Sequence, residues 1–451
     1  MLVKFNARVS AVIVLVLFVI GFSRPALTLG QDAFAGSPLA NDHEATVATD
    51  WTKLLCELVR DENVNAPAAS RIYAYAGVAL YEAVVNGIPD NFSVGGTLPG
   101  LPLLPYPEEG LVYDWPSVAN ASLSTVIAGL FPDGSDTTHE RIAAMRQQQT
   151  DARLAEVDAE IVERSLELGD AQADVLLDWI AEDNYGPIQK MEYEMPIGDP
   201  SLWVVTTEGQ TAQEPYWGQL RSFGLDFAEQ CNVDMRMDFS TDPDSTFYKQ
   251  AQEVLTTSDR LTDEQREIAR FWVDTPGITG APSGHWLLIE TQLVEQMGLP
   301  LGRAAEMYIL VNSALADAFI SAWNLKYQVN LVRPVTYIQQ NLRRNWSPYI
   351  QTPPFPEYPS GHSVASGAAA EVLTTMFGQV AFTDRTPIIN GHEQLERSFT
   401  SFEAAAAEAA ISRMYGGIHY RAAIENGLRQ GRCVGQQVLN NVRLRSIPQG
   451  E

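Results

Sequence analysis

Residues 304–327 read AAEMYILVNSALADAFISAWNLKY. Apolar side chains recur there three or four positions apart, the spacing of an α-helix. The same periodicity extends on both sides. Downstream it covers 360–377, 393–415 and 419–442; upstream it covers 245–258, 263–274 and 285–297. Farther toward the N-terminus it covers 42–60, 68–85 and 118–130. Residues 137–184 are rich in Ala, Leu, Glu, Gln and Arg, which predicts two helices with a break near Ala155. Residues 90–115 are rich in Pro and Gly and read as loop. Residues 185–245 carry Tyr, Trp, Pro, Gly and Asp around a strand-like WVVT at 203–206, an excursion expected to hold a hairpin over one end of a bundle. The fold class is therefore all-α, with two helical bundles over 40–245 and 246–451 and a short β/loop excursion near 185–245.

The chain has 451 residues, with 56 acidic side chains against 30 basic ones and a net charge of −26. That excess repels nucleic acid and anionic lipid, which argues against a polyanion-binding role. Lys4 and Arg8 precede an apolar run over 9–22 that Arg24 and Pro25 close. The run is short of the roughly twenty residues a membrane span needs, and reads as an export signal within 1–30. Cleavage is expected near Gly30 or after Ala35, giving a secreted or periplasmic protein; the alternative is an uncleaved anchor through 9–22. Cys56, Cys231 and Cys433 fit no metal or redox spacing. One bridge among them is compatible with an oxidising compartment, with the pair left open.

Three segments in the second half carry the chemistry. Lys326 and Arg333 lie seven residues apart, followed by Pro334, a spacing that lets both cations project from one helix face. Two cations so placed, with no acid between them, suit a dianion. Next, Pro359–Ser360–Gly361–His362 opens a small-residue helix. Ser360 is a natural N-cap, Gly361 admits a ligand close to the backbone, and the first turn offers free amides at the positive dipole end. His362 stands ready there as a proton donor or acceptor. Finally Ser412–Arg413 precedes Gly416 and Gly417, which end a helix and leave His419 just past a turn. Together these residues form a candidate pocket for one tetrahedral oxyanion, vanadate or phosphate, in the C-terminal bundle.

The order and spacing of the three segments resemble the type 2 phosphatidic acid phosphatase superfamily, which includes the vanadium-dependent haloperoxidases. The likeness spans about a hundred residues, from Lys326 to His419. It implies that Lys326, Arg333 and Arg413 neutralise the oxyanion, with Ser360 and the Gly361 amide as further donors. It implies that His419 binds vanadium axially, or attacks phosphorus in the phosphatases, and that His362 is the acid–base. Trp323 and Phe355, the latter within TPPFPEYP at 352–359, resemble the halide-side aromatics of vanadium chloroperoxidases. Asp274 is similar to an aspartate that pairs with the arginine corresponding to Arg413.

The resemblance thus implies one vanadate per chain, hydrogen peroxide and halide (chloride, bromide or both) as substrates, and a small organic acceptor. In that scheme His362 takes a proton from peroxide, Lys326 polarises the bound oxidant, and halide leaves as a hypohalous acid equivalent. Two alternatives stand beside it: an acid phosphatase with His419 as nucleophile, and a non-catalytic phosphate- or vanadate-binding protein. One departure matters. Where the superfamily has an acid four residues after the active histidine, this chain has Ala423, leaving Glu425 or a backbone carbonyl to orient His419. A second PSGH, at 282–285, precedes the Lys326 segment and reads as a helix start with Ser283 as N-cap, its His285 near the pocket rim. His43, His139 and His392 read as surface or core residues.

Overall fold

The computed structural model describes residues 36–234, 238–389 and 395–445. The expected export segment and His392 lie outside them. The first helices are α1 (Thr46–Asp61), α2 (Ala66–Val84), α3 (Trp115–Leu130), α4 (Asp136–Leu154) and α5 (Ala159–Ala181). The side chains of Asn65, Asp114, Ser135 and Asp158 cap the last four by accepting first-turn amides, as short polar residues at N-caps do. The break after Leu154 falls where the composition predicted it. A short α6 (Tyr185–Ile188) opens the excursion, and α7 (Thr246–Asp259), α8 (Asp263–Phe271) and α9 (Ala281–Met297) follow it.

The 29-residue α10 (Leu301–Val329) is the axis of the molecule. It packs against α2 on one side and against α12 (Gly361–Phe377) and α15 (Arg421–Asn441) on the other. A single apolar cluster accordingly runs from Ala40 to Leu444, through both halves of the chain. Between α10 and α12 lies α11 (Pro334–Asn341). Beyond α12, β1 (Phe382–Asp384), α13 (Thr386–Ile389), β2 (Arg397–Phe399) and α14 (Phe402–Tyr415) complete the order. β1 and β2 pair antiparallel, with Phe382 opposite Phe399, and form the one sheet among the described residues. The helix expected from residue 393 therefore begins at Phe402, where Ser401 caps it; Phe382, Phe399 and Phe402 cluster beneath the strand pair instead.

No hairpin forms in the described part of the excursion. Leu202 bridges Leu331, the Trp203 N–H donates to the Asn330 carbonyl at 2.8 Å, and the Val332 N–H donates to Ser201 at 2.9 Å. The strand-like residues thus pair with the segment after α10 rather than with a neighbour in the excursion. Asp317 of α10 holds the same region by accepting the amides of Phe223, Gly224 and Leu225. A Cys231–Cys433 disulfide ties it to α15, and Cys56 is free and buried.

Close approach of α12 and α15 sets the site. A Cβ on Gly431 would sit 2.1 Å from the Val364 carbonyl, and one on Gly367 would sit 2.7 Å from that of Leu428. Only glycine permits that separation. It brings the first turn of α12 beside the start of α15. Among the described residues no helix is long and apolar enough to cross a membrane.

Candidate functional site

The seven residues expected to hold an oxyanion converge at the junction of α10, α11, α12, α14 and α15. Lys326, Arg333 and Ser360 are wholly buried, and Arg413 and His419 nearly so. Lys326 and Arg333 do not share a helix face. α10 ends at Val329 because Asn330 takes the left-handed conformation (φ 50°), and Arg333 is the N-cap of α11 ahead of Pro334. The chain turn, rather than helical repeat, brings the two cations together.

Arg333 donates from Nε to the Phe355 carbonyl (2.9 Å) and from Nη1 to the Ile418 carbonyl (2.9 Å), with Nη1 also 3.2 Å from His419 Nε2. Its Nη2 has no protein partner. Arg413, in the last turn of α14, donates from Nη1 to the Trp272 carbonyl at 2.6 Å, and its Nε is likewise without a partner. Burial pulls both guanidinium groups down to about 10, still charged at neutral pH. Lys326 Nζ reaches the carbonyls of Pro356 (3.0 Å), Glu357 (3.1 Å) and Pro359. Burial and the nearby Arg333 push its proton affinity well down. Three acceptors nevertheless match the three N–H groups of the ammonium form, which this geometry favours. All its donors being used, Lys326 acts on the oxyanion site through its charge and not by a direct hydrogen bond. Its ammonium lies 5.0 Å from the Phe355 ring centroid and 5.6 Å from that of Trp323, rings whose centroids are 4.8 Å apart.

His419 is oriented by a residue the spacing of motifs did not reveal. Its Nδ1 is 2.9 Å from Glu357 Oε1, which also accepts the Tyr420 N–H at 2.8 Å. Nδ1 is thereby the protonated nitrogen, and the Nε2 lone pair faces the cations, the tautomer a metal-binding histidine needs. Burial, then Arg333, Lys326 and Arg413, keep the ring neutral by lowering its pKa well below the usual value. Glu425, one expected orienter, instead pairs with Arg421 at 3.6 Å. Ala423 is wholly buried beside Tyr358 and Tyr420, and its carbonyl accepts the Ser360 N–H at 3.1 Å. An acid there would be surrounded by apolar groups; Glu357 reaches the ring at Nδ1 instead. The signal for it lay in TPPFPEYP, where a lone acid sits among prolines and aromatics just before Ser360.

Ser360 caps α12 as expected, accepting the Ser363 N–H. His362 Nε2 is 3.3 Å from Asp274 Oδ2, and its pKa is lowered to about 4 by burial and Arg413, against the pull of Asp274. Asp274 therefore does not clasp Arg413. Its oxygens face two histidines, Oδ2 toward His362 and Oδ1 toward His285 at 2.9 Å. Ser283 is not an N-cap either, because α9 begins at Ala281 with Gly280 as its cap. His285 is buried behind Asp274 instead of standing at the rim.

These residues fit an oxyanion. Arg333 Nη2 and Arg413 Nε are buried without protein partners, and His419 Nε2, 3.2 Å from Arg333 Nη1, belongs to the same group of residues as the N-terminus of the 17-residue α12. At Gly361 a Cβ would press to 3.1 Å from the Trp323 ring, so the approach to the backbone there tolerates no side chain without adjustment. Among the described residues no three His, Cys, Asp or Glu side chains are grouped to hold a simple cation.

A mostly helical protein with a cation-lined cradle and a histidine whose Nε2 meets a guanidinium is the class that fold and site define. Residues 306–446 match the family model described as the VCPO second helical-bundle domain. The solved structure of the first bacterial vanadium-dependent iodoperoxidase is 35% identical, covers 90% of this chain and 98% of its own, and superposes with a TM-score of 0.83. The chain belongs to the vanadium-dependent haloperoxidase family. Apo and holo structures of a bacterial vanadium-dependent chloroperoxidase share the fold at 15% identity and TM-scores of 0.61, covering 85% and 86% of this chain and 94% and 95% of theirs. No curated protein matches the chain.

Proposed function

We propose that the chain is a vanadate-dependent haloperoxidase that uses hydrogen peroxide to oxidise halide to a hypohalous acid equivalent, with iodide as the preferred halide. The observation that carries it is the His419 ring, locked by Glu357 so that Nε2 meets the Arg333 guanidinium, with Arg333 Nη2 and Arg413 Nε buried without protein partners. Bound vanadate supplies Lewis acidity that polarises peroxide while the metal keeps its oxidation state. The residues that would hold it are His419, whose Nε2 would offer the metal a lone pair, Arg333 and Arg413, which would offset the oxyanion charge, and the Ser360 hydroxyl and Gly361 amide, which would donate to its oxygens. His362, a free base at neutral pH, takes the proton of incoming peroxide at the ring nitrogen that does not face Asp274, and Asp274, 3.3 Å from Nε2, steadies the imidazolium that results. Lys326 adds positive charge over Phe355 and Trp323, the apolar wall proposed for the halide side. The likeness to an iodoperoxidase over nearly the whole chain supports iodide; Phe355 supports the competing reading of chloride. A small organic acceptor completes the proposed substrates.

The test is oxidation of iodide, bromide and chloride by vanadate-free protein, before and after vanadate is added. Vanadate-dependent turnover, fastest with iodide, is expected. Phosphomonoester hydrolysis with no vanadate-dependent signal from any halide would overturn the proposal in favour of a phosphatase, for which the Glu357–His419 pair would also serve. Arg413→Ala should lower halide oxidation by two or more orders of magnitude at saturating peroxide, as loss of a buried charge-stabilising donor does. We further propose export through the segment within 1–30, which the Cys231–Cys433 bridge supports, since such bonds persist in oxidising compartments. Mass spectrometry of the mature N-terminus tests it.

A further inference from the structure

Behind His362 lies a chain of buried groups that the cradle does not require. Asp274 Oδ1 is 2.9 Å from His285 Nδ1, and His285 Nε2 is 2.8 Å from Asp384 Oδ2. The three side chains are at most 3% exposed. They come from separate parts of the fold: Asp274 from the turn between α8 and α9, His285 from α9 and Asp384 from β1. Asp384 is fixed in turn by the Thr386 N–H, which donates to its Oδ1 at 2.9 Å. The His285 ring stacks on Trp272, centroids 4.3 Å apart at 16°, with the tilted Phe271 ring 5.5 Å away.

An imidazole with a carboxylate oxygen at each nitrogen must donate from both, so His285 is an imidazolium. Burial alone would lower its pKa, but Asp274 and Asp384 raise it to about 10. Asp274 is held just as firmly. Its backbone sits at φ 45°, a region costly for a non-glycine residue, and its second oxygen is left facing His362.

We propose that His285 and Asp384 are positioning residues for His362: they aim the Asp274 carboxylate at the His362 ring and cancel part of its charge. A carboxylate alone would hold a proton on His362; one balanced by an imidazolium leaves the ring free to accept it. The charged groups facing His362 are Arg413, Asp274 and His285. Those facing His285 are Asp274 and Asp384. From α14, Glu408 takes the Trp272 indole N–H at 3.1 Å and is paired with Arg397, so its charge is already met. The role assigned to His362 rests on the haloperoxidase reading, whereas the coupling among the four residues does not.

The experiment follows the histidine rings by nitrogen NMR in full-length, vanadate-free protein, for the wild type and Asp384→Asn. In the wild type His285 should be doubly protonated at pH 7. In Asp384→Asn the carboxylate that holds the second ring proton is gone, so His285 should be neutral at pH 7, Asp274 is left unbalanced, and the His362 midpoint should rise by about one unit. With vanadate and iodide, the acid limb of the rate profile should move the same way. A neutral His285 in the wild type overturns the proposal, as does an unmoved His362 midpoint in the folded variant. If the variant does not fold, the wild-type ring state decides. Ring coupling without halide oxidation would instead count against the proposed function and leave this inference standing.

Discussion

Glu357→Gln keeps the shape of the contact to His419 Nδ1 and removes its charge. The imidazole becomes a weaker metal ligand, so vanadate affinity is expected to fall about 10- to 100-fold with the fold intact. Vanadate titration followed by tryptophan fluorescence measures it; unchanged affinity would mean that the ring is fixed by packing alone. The buried histidines also give the vanadate-free protein a pH signature. The folded pKa of His285 is raised to about 10, so its contribution is fully present below the unfolded value near 6.5 and is lost as pH rises toward 10. His362 and His419 are depressed, so the unfolded chain binds more protons than the native one and stability is lost as pH falls below about 6.5. Unfolding midpoints measured across pH 4–10 should therefore peak between these limbs, and Asp384→Asn should flatten the alkaline one.

At this scale the motifs pointed to seven residues that the fold brings together, because charge, capping and glycine requirements are written in local sequence. They did not disclose partners. Glu357, Asp384 and His285 meet their neighbours across 62, 99 and 11 positions of chain, and such contacts have no local period to betray them.

Among the elements, the pairing of α12 with α15 matters most, since it sets His362 beside His419. Gly431→Ala places a methyl group against the Val364 carbonyl, and the helices must separate. A loss of about 1–3 kcal/mol in denaturant-derived stability is expected, as for overpacking elsewhere. Vanadate should bind more weakly as well, although residue 431 touches nothing in the cradle. Full affinity in a destabilised variant would show that the cradle is held independently of this contact. Most helices were legible from their three-and-four spacing and their caps. The failures came where backbone pairing crosses the chain: WVVT at 203–206 binds the segment after α10, and Arg397–Phe399 pairs with β1, where helical periodicity had been expected.

Taken as a whole, the molecule is a large apolar cluster about α10 with smaller ones beside it, a net acidic chain and a buried knot of Lys326, Arg333 and Arg413. That arrangement has a kinetic consequence. Halide and vanadate are both anions and must diffuse through a surrounding potential set by a net charge of −26 before the cradle's own field can capture them. Added inert salt shortens the Debye length to about 8 Å at physiological strength and screens the outer repulsion more than the buried attraction. The second-order rate constant for halide capture should therefore rise as ionic strength is raised from about 0.01 to 0.15 M, the reverse of an electrostatically steered encounter. Stopped-flow measurement with perchlorate as the inert anion tests this, and a rate that falls would locate a positive funnel at the pocket mouth.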